Sequence, residues 1–162
     1  ARTGDYGAAY ANGVPMDGTF NAEAGVSRLF VWATQDPDHA PLAKIQVIKG
    51  WLEEGEAREK VFEVACADSD VSGACVSTLA PVDLNDCSWS KTAGAPELRA
   101  DWVDPNYDAE HNAFYYARVT QIPSCRCTTY DTLRLGLAPP MDVPATITAM
   151  AWSSPILVSA KD

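Results

Sequence analysis

The chain has 162 residues, 47% of them apolar, which is enough for one domain with a buried core and too little for two ordinary ones. A net charge of -10 repels phosphate backbones and offers no basic patch to an anionic bilayer, so nucleic acid is excluded as a partner and membrane binding is disfavoured. No run of about 18 apolar residues is present, so insertion of a membrane helix is not expected.

Eleven prolines and ten glycines lie along the whole length, a spacing that suits short strands joined by turns. Residues 1–19 read as an extended N-terminal arm. Tyr6, Tyr10, Val14 and Met16 are its only large apolar side chains, set apart among glycines and alanines. Such a segment cannot order itself, so its own sheet or a neighbouring molecule must hold it. The first residue is Ala1 rather than a methionine, which suits a processed product or a trimmed boundary.

Residues 20–162 are expected to form one β-domain. Arg28–Thr34 is rich in β-formers and ends at an Asp36-Pro37-Asp38 turn. Lys44–Leu52 alternates, with Ile45, Val47 and Lys49 on one side and Gln46 and Ile48 on the other. A charged hairpin turn around Gly55 leads to Glu59–Cys66, which alternates again. The stretch from Ala67 to Ala95 is too long for an unpinned loop, and its Cys75 and Cys87 suggest the pins. Glu97–Val103 is the next strand, with Leu98, Ala100 and Trp102 on one face, and Asn112–Ile122 is the strongest and most central. Tyr130–Leu135 fits one helical turn. Pro139, Pro140 and Pro144 then force an extended path. Thr146–Trp152 and Pro155–Ser159 close the chain as a strand pair or one bent strand. Six or more short strands without a convincing amphipathic helix predict an all-β, antiparallel, immunoglobulin-like β-sandwich.

Five cysteines, Cys66, Cys75, Cys87, Cys125 and Cys127, point to an oxidising compartment, either extracellular or periplasmic. Cys125 and Cys127 are spaced C-x-C, not as a zinc knuckle, and disulfides are the better reading. Cys66 and Cys75 close a short loop. Cys87 has Cys125 or Cys127 as its partner, and one thiol is left over, either buried, reactive or bridging two molecules.

Asp104, Asn106 and Asp108 begin like a calcium loop, but Ala109 stands where that loop needs glycine and Tyr115 where it needs glutamate. An Asp-Pro turn is expected there, and a solvated turn at Asp36–His39. No nucleophile elbow and no phosphate loop occur, so no catalytic residue, metal or cofactor is assigned. Trp32, Trp51, Trp102 and Trp152 lie on predicted strands. They are expected to pack, unless they are exposed as a platform for sugar rings.

Several segments together carry a family resemblance: GVPMDG at 13–18, PLAKIQVIKGW at 41–51, EKVFEVAC at 59–66, the run from Glu97 to Asp131, and DVPATITAMAWSSPI at 142–156. In this order they resemble the C-terminal portion of an exported bacterial family known as domain of unknown function 3604. The chain departs from the family pattern at Asp17, where glycine is usual, and at Cys127, where an aromatic is common. The resemblance implies a longer protein whose upstream part is similar to PHP-type metal-dependent phosphoesterases and would hold the metal ligands. No catalytic residue is carried onto this chain. The leading expectation is a non-catalytic structural module that binds copies of itself by donating its N-terminal strand, building a filament. The alternatives are an accessory domain packed on an upstream catalytic domain, and a carbohydrate-binding module.

Overall fold

The computed structural model describes residues 6–21, 27–71, 73–76, 80–138 and 141–160. Its centre is a hairpin of two long strands, β3 (Leu42–Glu53) and β4 (Glu56–Cys66). Glu54 and Gly55 turn the chain with φ of 53° and 83°, the two positive values that match the twist of a tight hairpin. β6 (Ala113–Gln121) pairs with the other side of β3, and β10 (Ile156–Ser159) pairs with β6. β1 (Thr19–Asn21) closes that edge, giving the order β1-β10-β6-β3-β4.

β9 (Met150–Trp152) also runs along β6, so residues 150–159 form the expected bent strand. The bend falls at Ser153–Pro155, where proline has no N–H to give. Ser153 repairs the ladder there: its N–H donates to the Ala117 carbonyl at 3.0 Å and its Oγ accepts from the Ala117 N–H at 2.9 Å.

β2 (Arg28–Thr34) and β5 (Glu97–Val103) pair antiparallel as a separate sheet. Its inward residues Leu29, Val31, Leu98 and Trp102 pack on Ile45, Val47, Tyr115 and Val158 of the large sheet. The alternation read from the sequence put Ile45 and Val47 on one face of β3, and Leu98 and Trp102 on one face of β5, as the packing has them. A short pair, β7 (Ser124–Cys125) with β8 (Thr146–Ile147), lies beside the second helix.

Three expectations need correction. The arm is not extended throughout: Tyr6–Asn12 is a helix, α1, because Ala8, Ala9 and Ala11 are strong helix formers. The sheet is not purely antiparallel, since β1 runs parallel to β10. The single turn expected at Tyr130–Leu135 is a full helix, α2 (Cys127–Leu135), stopped by Gly136 in the left-handed region at φ 63°. The cysteines of the long loop are tied to strands outside it, Cys75 to Cys66 at the end of β4 and Cys87 to Cys125 in β7, and Cys127 is the exposed remaining thiol. Pro139 and Pro140 lie outside the described residues.

Candidate functional site

Two places concentrate chemistry, one on each face of the large sheet. On the inner face, Lys49 follows Val47 in the alternation and therefore points into the core. Its ammonium donates to Asp104 Oδ2 at 2.7 Å and to the Asn106 carbonyl at 2.6 Å. Tyr115 donates its hydroxyl to the same Asp104 oxygen at 2.6 Å, and the Asn106 N–H donates to Oδ1 at 2.8 Å. The side chains of Lys49 and Asp104 are 6% and 0% exposed, so the pair is dry. Burial pushes the Asp104 carboxyl up, but the Lys49, Tyr115 and Asn106 hydrogen bonds outweigh it and hold the carboxyl below its usual range. Burial, with the Asp104 carboxylate alongside, keeps the Tyr115 phenol protonated. Trp51 and Tyr115 place their rings 5.3 and 5.6 Å from the ammonium. Lys60, the cross-strand neighbour of Lys49, donates to Asn106 Oδ1 at 2.7 Å. This clamp fastens the Asp-Pro turn after β5 to the large sheet.

On the outer face, β6 presents Phe114, Tyr116 and Arg118, since Tyr115 and Ala117 point inward. Phe114 lies opposite Gly50, and a methyl group at Gly50 would come within 2.2 Å of the ring. Only glycine leaves the ring room to lie over β3. The Phe114 and Tyr116 rings are nearly parallel, at 11°, with centroids 6.3 Å apart. Trp152 pairs with Arg118 across the sheet, and Leu157 with Phe114. An open groove runs between Phe114, Tyr116, Trp152, Ser153, Pro155 and Leu157. Trp152 is 60% exposed, Leu157 50% and Phe114 40%, so these apolar side chains belong to a surface and not to the core.

A polar row borders the rings. Arg118 Nε donates to Gln46 Oε1 at 2.8 Å, and Gln46 Nε2 donates to Glu63 Oε1 at 3.2 Å. Lys44 donates to the same Glu63 oxygen, and this bond above all holds the Glu63 carboxyl below its usual range. Among the described residues, the Tyr116 hydroxyl, the Trp152 indole N–H and the terminal Arg118 nitrogens have no protein partner.

A match to a family model lies behind this architecture: a family described as protein of unknown function (DUF3604) matches residues 2–160. The chain belongs to the DUF3604 family. No curated protein and no solved structure matches it.

The structure separates the residues that the sequence singled out in this DUF3604 chain. Cys87 takes Cys125 and not Cys127. In the arm, Tyr10 and Met16 are 78% and 62% exposed and Val14 is half-buried; Tyr6 lies in α1. The Asp-Pro turn at Asp104 forms as read, with Asp108 accepting from the Glu110 N–H at 2.9 Å. The Asp36–His39 turn is solvated, with His39 Nδ1 2.9 Å from Asp36 Oδ2. Among the described residues no group of three His, Cys, Asp or Glu is placed to hold a metal, and no helix is long and apolar enough to cross a membrane.

The tryptophans divide. Trp102 packs on Phe62 at 4.8 Å in the core, and Trp51 and Trp89 are half-buried. Trp32 lies on the outer face of the small sheet, with the Arg99 guanidinium 4.7 Å from its ring and the Glu97 carboxylate accepting from its N–H. Trp152 is mostly exposed and lines a groove with Phe114 and Tyr116, and half-buried Trp51 lines a neighbouring one with Phe114. The Lys49–Asp104–Tyr115 clamp was not foreseen. Its one signal was a lysine at an inward position of an alternating strand.

Proposed function

We propose that this DUF3604 chain is a non-catalytic module of an extracellular or periplasmic protein, an immunoglobulin-like sandwich that acts by contact. The outer face of its large sheet is the contact surface. The observation that carries this reading is the exposed apolar cluster of Phe114, Trp152 and Leu157, with half-buried Tyr116 beside it, where a glycine at position 50 leaves room for the end of the Phe114 ring over β3. Two disulfides support the compartment. The backbone of Thr19–Asn21 pairs with β10 of its own chain, which favours the face over strand donation as the route of association.

Hydroxyl-radical footprinting tests the reading. Trp152, Phe114 and Tyr116 should oxidise more slowly in the secreted protein in its natural medium than in the purified chain. Trp32, on the opposite sheet, should oxidise equally in both. Equal rates for all four residues would overturn the contact surface.

A further inference from the structure

We infer that the outer face of the large sheet binds a neutral glycan, whose pyranose rings lie on Trp152, Tyr116 and Phe114. The inference rests on the contact-module reading and names its ligand. Two features of the face select a sugar over an apolar protein surface.

The first is geometry. Phe114 and Tyr116 are nearly parallel, and Gly50 removes the side chain that would lift Phe114 from the sheet. A pyranose with equatorial hydroxyls has a flat face of C–H groups, which packs on exposed aromatic surface such as that of Trp152 and Phe114. The rings are held by a sheet, so little order has to be imposed on binding.

The second is hydrogen bonding. Beside the rings lie the Tyr116 hydroxyl, the Trp152 N–H and the Arg118 terminal nitrogens, none with a protein partner among the described residues. A dry apolar interface would strand these groups. Sugar hydroxyls donate and accept, and match all of them. The Arg118 side chain is already oriented by the chain of bonds through Gln46 to Glu63.

Charge narrows the class. The chain carries -10 overall, which repels uronates and sulfated polymers. The one carboxylate in the polar row, Glu63, is paired with Lys44. A neutral polymer meets no such barrier.

Affinity electrophoresis in gels containing mixed-linkage β-glucan, xylan or galactomannan tests this, with polygalacturonate as the charged comparison. The chain should be retarded by at least one neutral polymer. Trp152→Ala should bind that polymer at least tenfold more weakly, Tyr116→Phe severalfold, and Trp32→Ala as the parent does. Trp152 is mostly exposed, and an unchanged unfolding temperature in the variant shows that the fold is intact. No retardation by any neutral polymer, retardation by polygalacturonate alone, or full binding by Trp152→Ala would each overturn the glycan. Ring protection in the footprint without retardation overturns the glycan and leaves the contact module standing. Neither protection nor retardation overturns both.

Discussion

Lys49 and Asp104 form a buried ion pair whose worth depends on both partners being present. Taking two charges from water is costly, and their mutual attraction balances it only with further hydrogen bonds, which Tyr115 and Asn106 supply. Lys49→Met should therefore destabilise the fold by about 3–5 kcal/mol in urea unfolding, since it leaves Asp104 charged and dry. The pH dependence has a definite sign. The Asp104 carboxyl lies lower in the folded chain than in the unfolded one, so its contribution is present above an unfolded value of about 4. It is lost as pH falls through the lower, folded value. In acid titrations followed by circular dichroism, Asp104→Asn should show a shallower loss of stability below about pH 4 than the parent. Gly50 makes a different kind of prediction. A methyl group there meets the far end of the Phe114 ring, which is 40% exposed and can swing outward. Alanine is also favoured over glycine inside a strand by roughly 0.5–1 kcal/mol. Gly50→Ala should thus change stability by less than about 1 kcal/mol while raising the radical oxidation rate of Phe114.

The strands were legible wherever one face is buried. β2 and β5 alternate because the core takes every second side chain, and the inward positions of Leu29 and Leu98 follow from that period, whereas β3, flanked by β4 and β6, buries residues 45–50 on both faces. The inward position of Lys49 was legible too. Its partner was not, because Asp104 lies 55 residues away and only the packing of the two sheets brings it close. The helices were poorly read for a local reason. Tyr6–Asn12 has helix-forming alanines but no apolar period to announce it, and α2 buries only Thr129. The cysteine pairing was half legible: a nine-residue loop is easily closed, but a choice between Cys125 and Cys127 needs coordinates. The two disulfides should differ in weight. Loop-closure entropy favours the wider loop, with about 4 kcal/mol for the 38-residue separation of Cys87–Cys125 and about 2.5 kcal/mol for the 9-residue separation of Cys66–Cys75. Denaturation of Cys87→Ser/Cys125→Ser and of Cys66→Ser/Cys75→Ser should rank them in that order.

The edges of the large sheet decide how the whole molecule meets its neighbours. One edge is β4, whose exposed Glu56, Arg58, Glu59 and Lys60 guard it with charge, and Arg58 is bridged to Glu53 and Glu56. The other edge is covered from within. The Asp17 N–H donates to the Pro155 carbonyl at 2.8 Å, the Leu157 N–H donates to the Gly18 carbonyl at 3.0 Å, and Thr19–Asn21 continue along β10. Phe20 joins the core cluster around Val47, Tyr115 and Val158. Residues 17–21 therefore act as an internal cap on an edge that would otherwise be open to strand addition. This cap and strand donation predict opposite results for one truncation. If the segment serves its own chain, deleting residues 1–21 uncovers β10 and removes Phe20. The truncated chain should then melt several degrees lower and associate in light scattering, while the parent stays monomeric at the same concentration. If the segment is donated to a neighbour, the parent polymerises and the truncated chain does not. The backbone hydrogen bonds already satisfied within one chain set the expectation on the first outcome: a donated strand would have to displace this cap, which is joined to its own sheet and so competes at high effective concentration.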